Sequence, residues 1–203
     1  MRRLILSPHN DDAVLSLGGH IANWVAAGDE VLVLNFFTVS NYVNPATRKT
    51  PMDVARARAD EEENAAKCLG YEYKQLGLFD KPIRSVPDEI TQAAVRAIIN
   101  KEYVQADCQV YVPLSGSHRD HDIVRMGAND IPRERRHYYE DLPYAMVTFP
   151  PEGTIPTMAH IDIFKKLEAV RKYETQVDGI LEFMIRGYAH NMADDMYYER
   201  VWE

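Results

Sequence analysis

Residues 4–28, LILSPHNDDAVLSLGGHIANWVAAG, followed by residues 30–38, EVLVLNFFT, decide the fold. Leu4 to Leu6 is a short apolar run stopped by Ser7-Pro8, the pattern of a buried parallel strand. From Ala13 to Ala27 the apolar residues Val14, Leu17, Ile21 and Val25 recur at helical spacing, and Gly28 follows as a stop. Glu30 to Thr38 is a second apolar strand. Strand, loop, helix and strand in this order make a βαβ unit.

The alternation continues outward. Asn41 to Pro51 reads as a polar loop, Asp53 to Leu69 as a helix ending at Gly70, and Glu72 to Leu76 as a weaker strand. Asp88 to Tyr103 is a helix opened by Pro87, and Gln109 to Val112 a strand that runs into the loop Pro113 to Ser117. Arg136 to Tyr139 and Ala145 to Thr148 are short late strands around a turn at Pro143. Helices follow over Ile161 to Tyr173 and from Asp178 to about His190, and Tyr197 to Trp202 closes the chain as an edge strand. The expectation is one domain over residues 1–203 with a Rossmann-like three-layer α/β/α sandwich and a mostly parallel sheet.

Composition narrows the function. A chain of 203 residues with 46% hydrophobic and 27% charged residues can bury a core of adequate size. Its net charge of −8 has no basic cluster to meet a phosphate backbone, which argues against nucleic acid. No stretch reaches the ~20 apolar residues of a membrane span, and Leu4 to Leu6 is too short for a signal segment. The reading is a cytoplasmic protein with a small-molecule partner, with self-association left open. Cys68 and Cys108 make no disulfide framework and read as buried, inert thiols. Gly18-Gly19 reads as a place where the first helix approaches the sheet closely, since the first βα turn lacks G-x-G-x-x-G.

In sheets of this kind ligands bind outside the carboxyl ends of the strands. Two unusual segments fall at such ends. The first supplies His9, Asp11 and Asp12; the second supplies His118, Asp120 and His121. Imidazoles and carboxylates from two loops match a catalytic zinc site, which takes three N/O ligands and keeps a position open for water. Zinc lowers the pKa of that water toward ~7 and polarises a carbonyl. A carboxylate off the metal then serves as general base and a free imidazole as general acid. Plainer readings compete: Asp11-Asp12 can cap the following helix, and His118 and His121 can be surface histidines.

The segment SPHNDDAVLSLGG (residues 7–19) closely resembles the signature of the PIG-L/LmbE-like N-deacetylase family, whose core reads His-Pro-Asp-Asp-Glu and, in one bacterial branch, Ser-Pro-His-Leu-Asp-Asp-Ala-Val-Leu-Ser. His118 to His121 resembles its second motif, His-x-Asp-His. The likeness runs on through Arg58 to Glu61, Tyr139 to Tyr144, and Tyr173 with Gln176. It implies zinc held by His9, Asp12 and His121, with Asp11 as general base on the metal-bound water. It implies His118, as imidazolium, at the oxyanion or the departing amine, and Asp120 as a partner orienting a histidine. Asn10 stands where the family has Pro or Leu, and Ala13 where the main signature has Glu; neither change is expected to move the ligands.

The resemblance implies a zinc-dependent hydrolase removing an N-acyl group, with acetyl leading, from an amino sugar of N-acetylglucosamine type or a related polar amine. The alternatives are an esterase or phosphoesterase on the same metal site, and a non-catalytic carbohydrate- or nucleotide-binding module. Arg48, Arg58 and Tyr144 are substrate-contact candidates. Each has a plainer reading: a solvated loop arginine, a helix-surface pair of Arg58 with Glu61, and rim packing of the tyrosine. His20, His137, His160 and His190 read as structural.

Overall fold

The computed structural model describes residues 1–42, 50–104, 107–114, 116, 118–144 and 149–203. Arg48 and the strand expected over Ala145 to Thr148 lie outside the described residues.

The opening unit forms as expected, with β1 (Arg2–Ser7), α1 (Asp12–Ala26) and β2 (Glu30–Asn35). Gly28 takes a positive φ of 83°, which a side chain would resist. Next come α2 (Pro51–Leu69), β3 (Glu72–Gln75), α3 (Asp88–Val104), β4 (Cys108–Pro113), α4 (Arg119–Gly127) and β5 (Arg136–Tyr139). The chain finishes with β6 (Pro156–His160), α5 (Ile163–Val170), α6 (Gly179–Ala189), β7 (His190–Asn191) and β8 (Met196–Trp202).

The strand order is β3-β2-β1-β4-β5-β8-β6, with β7 paired to β8. β3 to β5 are parallel, whereas β8 runs antiparallel to both β5 and β6. Alternate strand residues feed two cores. Ile5, Val31 and Val33 pack with α1, α2 and α5; Leu4, Leu6, Leu32 and Leu34 pack with α3 and α4. Helices therefore cover both faces, and the three-layer expectation holds.

Four local expectations are corrected. α4 forms where only a His-rich segment was read, because a histidine caps it in place of a usual Ser or Asp. β8 is not the edge, since β6 pairs along its far side; the mostly exposed β6 sequence, PTMAH, lacks the apolar alternation that announces a strand. α5 is shorter than expected, because Asp162 caps it by accepting from Phe164 N and Lys165 N. Gly19 serves helix packing rather than the sheet: a Cβ there would lie 2.5 Å from the Ile161 side chain, just before α5.

Candidate metal centre

β1 and β4 are adjacent, yet the chain leaves them in opposite directions along the sheet. This is the topological switch point, where the loops after two neighbouring strands part and open a crevice. The two motif segments follow these two strands. The ladder runs past β1, with Phe36 N donating to Ser7 O at 3.0 Å and Phe37 N to Pro8 O at 2.8 Å, so the first loop leaves the sheet in a fixed direction.

Ser7 then frees the aspartates. Its Oγ accepts from Ala13 N at 3.1 Å and donates to His9 O at 2.5 Å, thereby closing the start of α1. Asp11 occupies the N-cap position, but its side chain makes no capping hydrogen bond. Its Oδ1 instead accepts from Arg58 Nη2 at 3.0 Å. The plain helix-cap reading does not describe Asp11.

Asp12, His9 and His121 converge. Asp12 Oδ2 lies 3.1 Å from His9 Nδ1 and 3.3 Å from His121 Nε2, and also accepts from His9 N at 2.8 Å. The remaining nitrogen of each histidine faces a second carboxylate. His121 Nδ1 lies 3.0 Å from Asp141 Oδ2, and His9 Nε2 lies 3.5 Å from Asp120 Oδ2. Carboxylates behind metal-binding histidines fix their tautomer and orientation. His121 Nε2 is buried without a hydrogen-bond partner, the state of a nitrogen built to meet something other than a protein donor.

A second set, His9, His118 and Asp120, also brings three ligand-type atoms within 4.8 Å. Its carboxylate is already engaged: Asp120 accepts from Arg84 Nη1 at 2.6 Å and from Lys81 N at 2.9 Å. The His9, Asp12 and His121 set therefore fits a cation better.

The electrostatics agree. Burial works against a charged His9, yet Asp12 and Asp120 overcome it and raise its pKa to about 9 without metal. Asp12 is held well below the usual carboxylate range, because the charge on His121 and the bonds and charge of His9 outweigh its burial. A positive charge is wanted at this point, supplied by protons when nothing else is bound.

His118 is the N-cap of α4, and its Nδ1 accepts from Asp120 N at 3.3 Å. That leaves Nε2 to carry the proton. Burial first, then the charges of His9 and His121, lower its pKa to about 4.

A cleft of about 380 Å³ covers this centre, walled by His9, Asp11, Asp12, Arg58, His118 and Tyr144. Arg58 and Glu61 are buried, not a surface pair. Asn10 Nδ2 donates to Arg58 O at 2.9 Å, and Glu61 accepts from Thr175 N and Oγ1 at 2.6 and 2.8 Å, so α2 is pinned on both sides of the arginine. Tyr144 stands edge-on to His121, with ring centres 5.3 Å apart. The sequence reading missed Asp141, Arg84 and Ser7. Asp141 could have been found, since it follows β5 at the same carboxyl edge of the sheet. Of the remaining histidines, His20 is buried against Glu199 at 2.8 Å and His137 faces Gln109 at 2.7 Å. Cys108 is buried and Cys68 partly so; both are free.

Fold and site together define a three-layer α/β protein with a His/Asp metal-type centre at its switch point. The chain belongs to the PIG-L family, described as GlcNAc-PI de-N-acetylase, whose pattern matches residues 4–131. It is 30% identical over 162 residues to 2′-N-acetylparomamine deacetylase of Streptomyces fradiae, a match covering 71% of this chain and 58% of that protein. The chain thus matches less than two thirds of that relative's length. The structure of the A40926 pseudoaglycone deacetylase Dbv21 superposes with a TM-score of 0.82 at 29% identity, covering 99% of this chain and 96% of the other. The zinc-inhibited form of teicoplanin deacetylase Orf2 shares the fold, with a TM-score of 0.84 at 23% identity, covering 100% and 97% of the two chains.

Proposed function

We propose that the protein is a zinc-dependent N-deacetylase acting on an N-acetylated amino sugar or a closely related polar amine. The observation that carries this reading is the buried, unpartnered His121 Nε2 aimed at Asp12 beside His9, with Asp11 held apart from that cluster. His9, Asp12 and His121 would hold the cation. When bound, zinc supplies a Lewis acid that polarises the amide carbonyl and acidifies a water molecule. Asp11, oriented by Arg58, accepts the proton of the attacking water. His118, with Nδ1 tied to the start of α4, offers Nε2–H to the carbonyl oxygen as negative charge develops there. A neutral imidazole can donate this bond. The proton held by Asp11 then passes to the departing nitrogen, giving a free amine and a carboxylate.

The relatives support an amide on an amino sugar as the target, and the cleft, which sets charged and polar groups beside apolar walls, suits one. Arg58, Tyr144 and, from the segment outside the described residues, Arg48 are the proposed substrate contacts. The test is release of primary amine from a panel of N-acetyl amino sugars, run beside acetyl and phosphate esters of the same sugars, with elemental analysis of the purified protein. Amine release that requires about one zinc per chain is expected. Ester or phosphoester turnover without amine release replaces the reading.

A further inference from the structure

One buried carboxylate close to the metal centre has no part in the chemistry assigned above. Glu140 follows β5 and immediately precedes Asp141, the carboxylate behind His121. β5 pairs with β8 in antiparallel register, Tyr138 against Trp202 and Tyr139 against Val201. Continued by one residue, that register sets Glu140 opposite Arg200, and the side chains obey it. Arg200 Nη1 donates to Glu140 Oε1 at 2.9 Å, and Trp202 Nε1 donates to the same oxygen at 3.1 Å. Tyr188 Oη, from α6, donates to Oε2 at 2.6 Å. The Glu140 side chain is 9% exposed, so its oxygens depend on these protein donors rather than on solvent. Burial, then the hydrogen bond and charge of Glu140, push the Tyr188 hydroxyl above its usual range, and it stays a donor at ordinary pH.

The link that carries Asp141 is short and held at both ends. Before it, Leu114 N donates to Tyr139 O at 2.9 Å, and Tyr139 Oη donates to Leu6 O at 2.9 Å. After it, Leu142 N donates to Ser16 Oγ at 3.1 Å. Glu140 and Asp141 are the two residues between these anchors. Consecutive Cα atoms are about 3.8 Å apart, so a fixed Glu140 leaves Asp141 little travel. Asp141 Oδ2 lies 3.0 Å from His121 Nδ1, and this contact keeps the ring turned with Nε2 toward Asp12. A hydrogen bond weakens steeply as its partners separate or tilt, so a small shift of Asp141 would release the ring.

We propose that Glu140 is a positioning residue of the metal centre, through which Tyr188, Arg200 and Trp202 fix Asp141 and so the ring of His121. This role rests on the reading of His9, Asp12 and His121 as the zinc ligands. It gives a task to side chains between residues 188 and 202, beyond the stretch that the family pattern matches. α6 then serves twice. Leu181 lines the catalytic cleft, and Tyr188, seven residues on along the same side of the helix, reaches Glu140.

The test measures zinc affinity, by competition with a chelator, in the wild type, Glu140→Gln, Tyr188→Phe and Asp141→Asn, and in Glu140→Gln combined with Asp141→Asn. Glu140→Gln is expected to weaken zinc binding by about tenfold, the low end for a group behind a metal ligand. Tyr188→Phe removes one hydroxyl and should cost about threefold. The visible absorption of the cobalt-substituted protein should shift in both variants, because the set of the His121 ring changes. In the Asp141→Asn background Glu140→Gln should cost no further affinity, since the two act along one route. A merely structural role would lower stability and move neither affinity nor spectrum. Tyr188→Phe decides the matter if Glu140→Gln does not fold. Unchanged affinity and spectrum in the variants of a protein that releases amine overturn the role and leave the deacetylase reading intact. So does a Glu140→Gln effect that persists undiminished without Asp141. Weakened zinc binding in the variants of a protein that releases amine from no sugar supports the role and removes the deacetylase reading.

Discussion

Two buried histidine–carboxylate clusters sit on the same helix, α1, and they differ in one respect. At its start, His9 and Asp12 meet His121; in its middle, His20 meets Glu199 from β8. Around Glu199 the donors match the acceptors: Gly19 N at 2.8 Å, His20 N at 2.7 Å, His20 Nδ1 at 2.8 Å and Lys166 Nζ at 2.7 Å. Burial raises the pKa of this carboxyl, but Lys166 and His20 outweigh it and hold it at about 2. Around Asp12 two imidazoles converge on one oxygen, His9 Nδ1 at 3.1 Å and His121 Nε2 at 3.3 Å, and each ring has a further carboxylate behind it. A buried carboxylate whose donors are all protein groups fastens elements together. One shared by two histidine rings, each braced from behind by a further carboxylate, is arranged for a cation, with protons in its place when none is bound. Residue type does not separate the two; accounting for each polar atom does.

The comparison can be broken most directly at Asp11, which belongs to the first region without belonging to its ligand set. Asp11→Asn should reduce amine release by about 10²–10⁴-fold while elemental analysis finds the same zinc content. Loss of zinc along with activity would place Asp11 among the ligands. The converse change is Glu199→Gln. It should leave zinc content unaltered but destabilise the fold by about 3–5 kcal/mol in urea unfolding, because Lys166 stays buried without its counter-charge. Smaller again is Asp141→Asn, which should weaken zinc binding by about 10–100-fold in competition with a chelator, through lost orientation of His121. An unchanged affinity would make the Asp141 contact merely structural.

The mildest probe is pH, and it separates the clusters without mutation. In metal-free protein the folded-state pKa of His9 is raised from 6.5 to about 9, so its contribution is full below 6.5 and disappears as pH rises through 9. Glu199 is depressed from 4.5 to about 2, so its contribution is full above 4.5 and disappears as pH falls through 2. Stability measured across both windows should fall at each end, and zinc should abolish the loss on the alkaline side only. The reason is that zinc takes the place of the His9 proton, and its binding should release protons to the buffer.

Much of this was legible in the chain. The alternation of Leu4 to Leu6, the helix after Asp12 and the run from Val31 to Phe37 specify the parallel half of the sheet, because each depends on local periodicity alone. The C-terminal part was less legible. β6 is mostly exposed and carries no apolar pattern, so nothing in its sequence announced that β8 would lie inside the sheet. The proposed ligands were visible because two short loops concentrate His and Asp at strand ends; their supports were not. Asp141 and Arg84 reach the site from 20 and 36 residues away, and Arg58 reaches Asp11 across 47.

The sequence by itself therefore determined that two His/Asp loops stand at the carboxyl edge of a parallel sheet. Only the tertiary structure decided which aspartate does what. Asp11 and Asp12 are neighbours of the same chemistry, and no local rule tells them apart. Ser7 takes over the capping bond, Arg58 draws Asp11 to one side, and His9 with His121 surrounds Asp12 on the other. That division depends on the direction of lone pairs brought together from distant segments, which spacing along the chain does not encode.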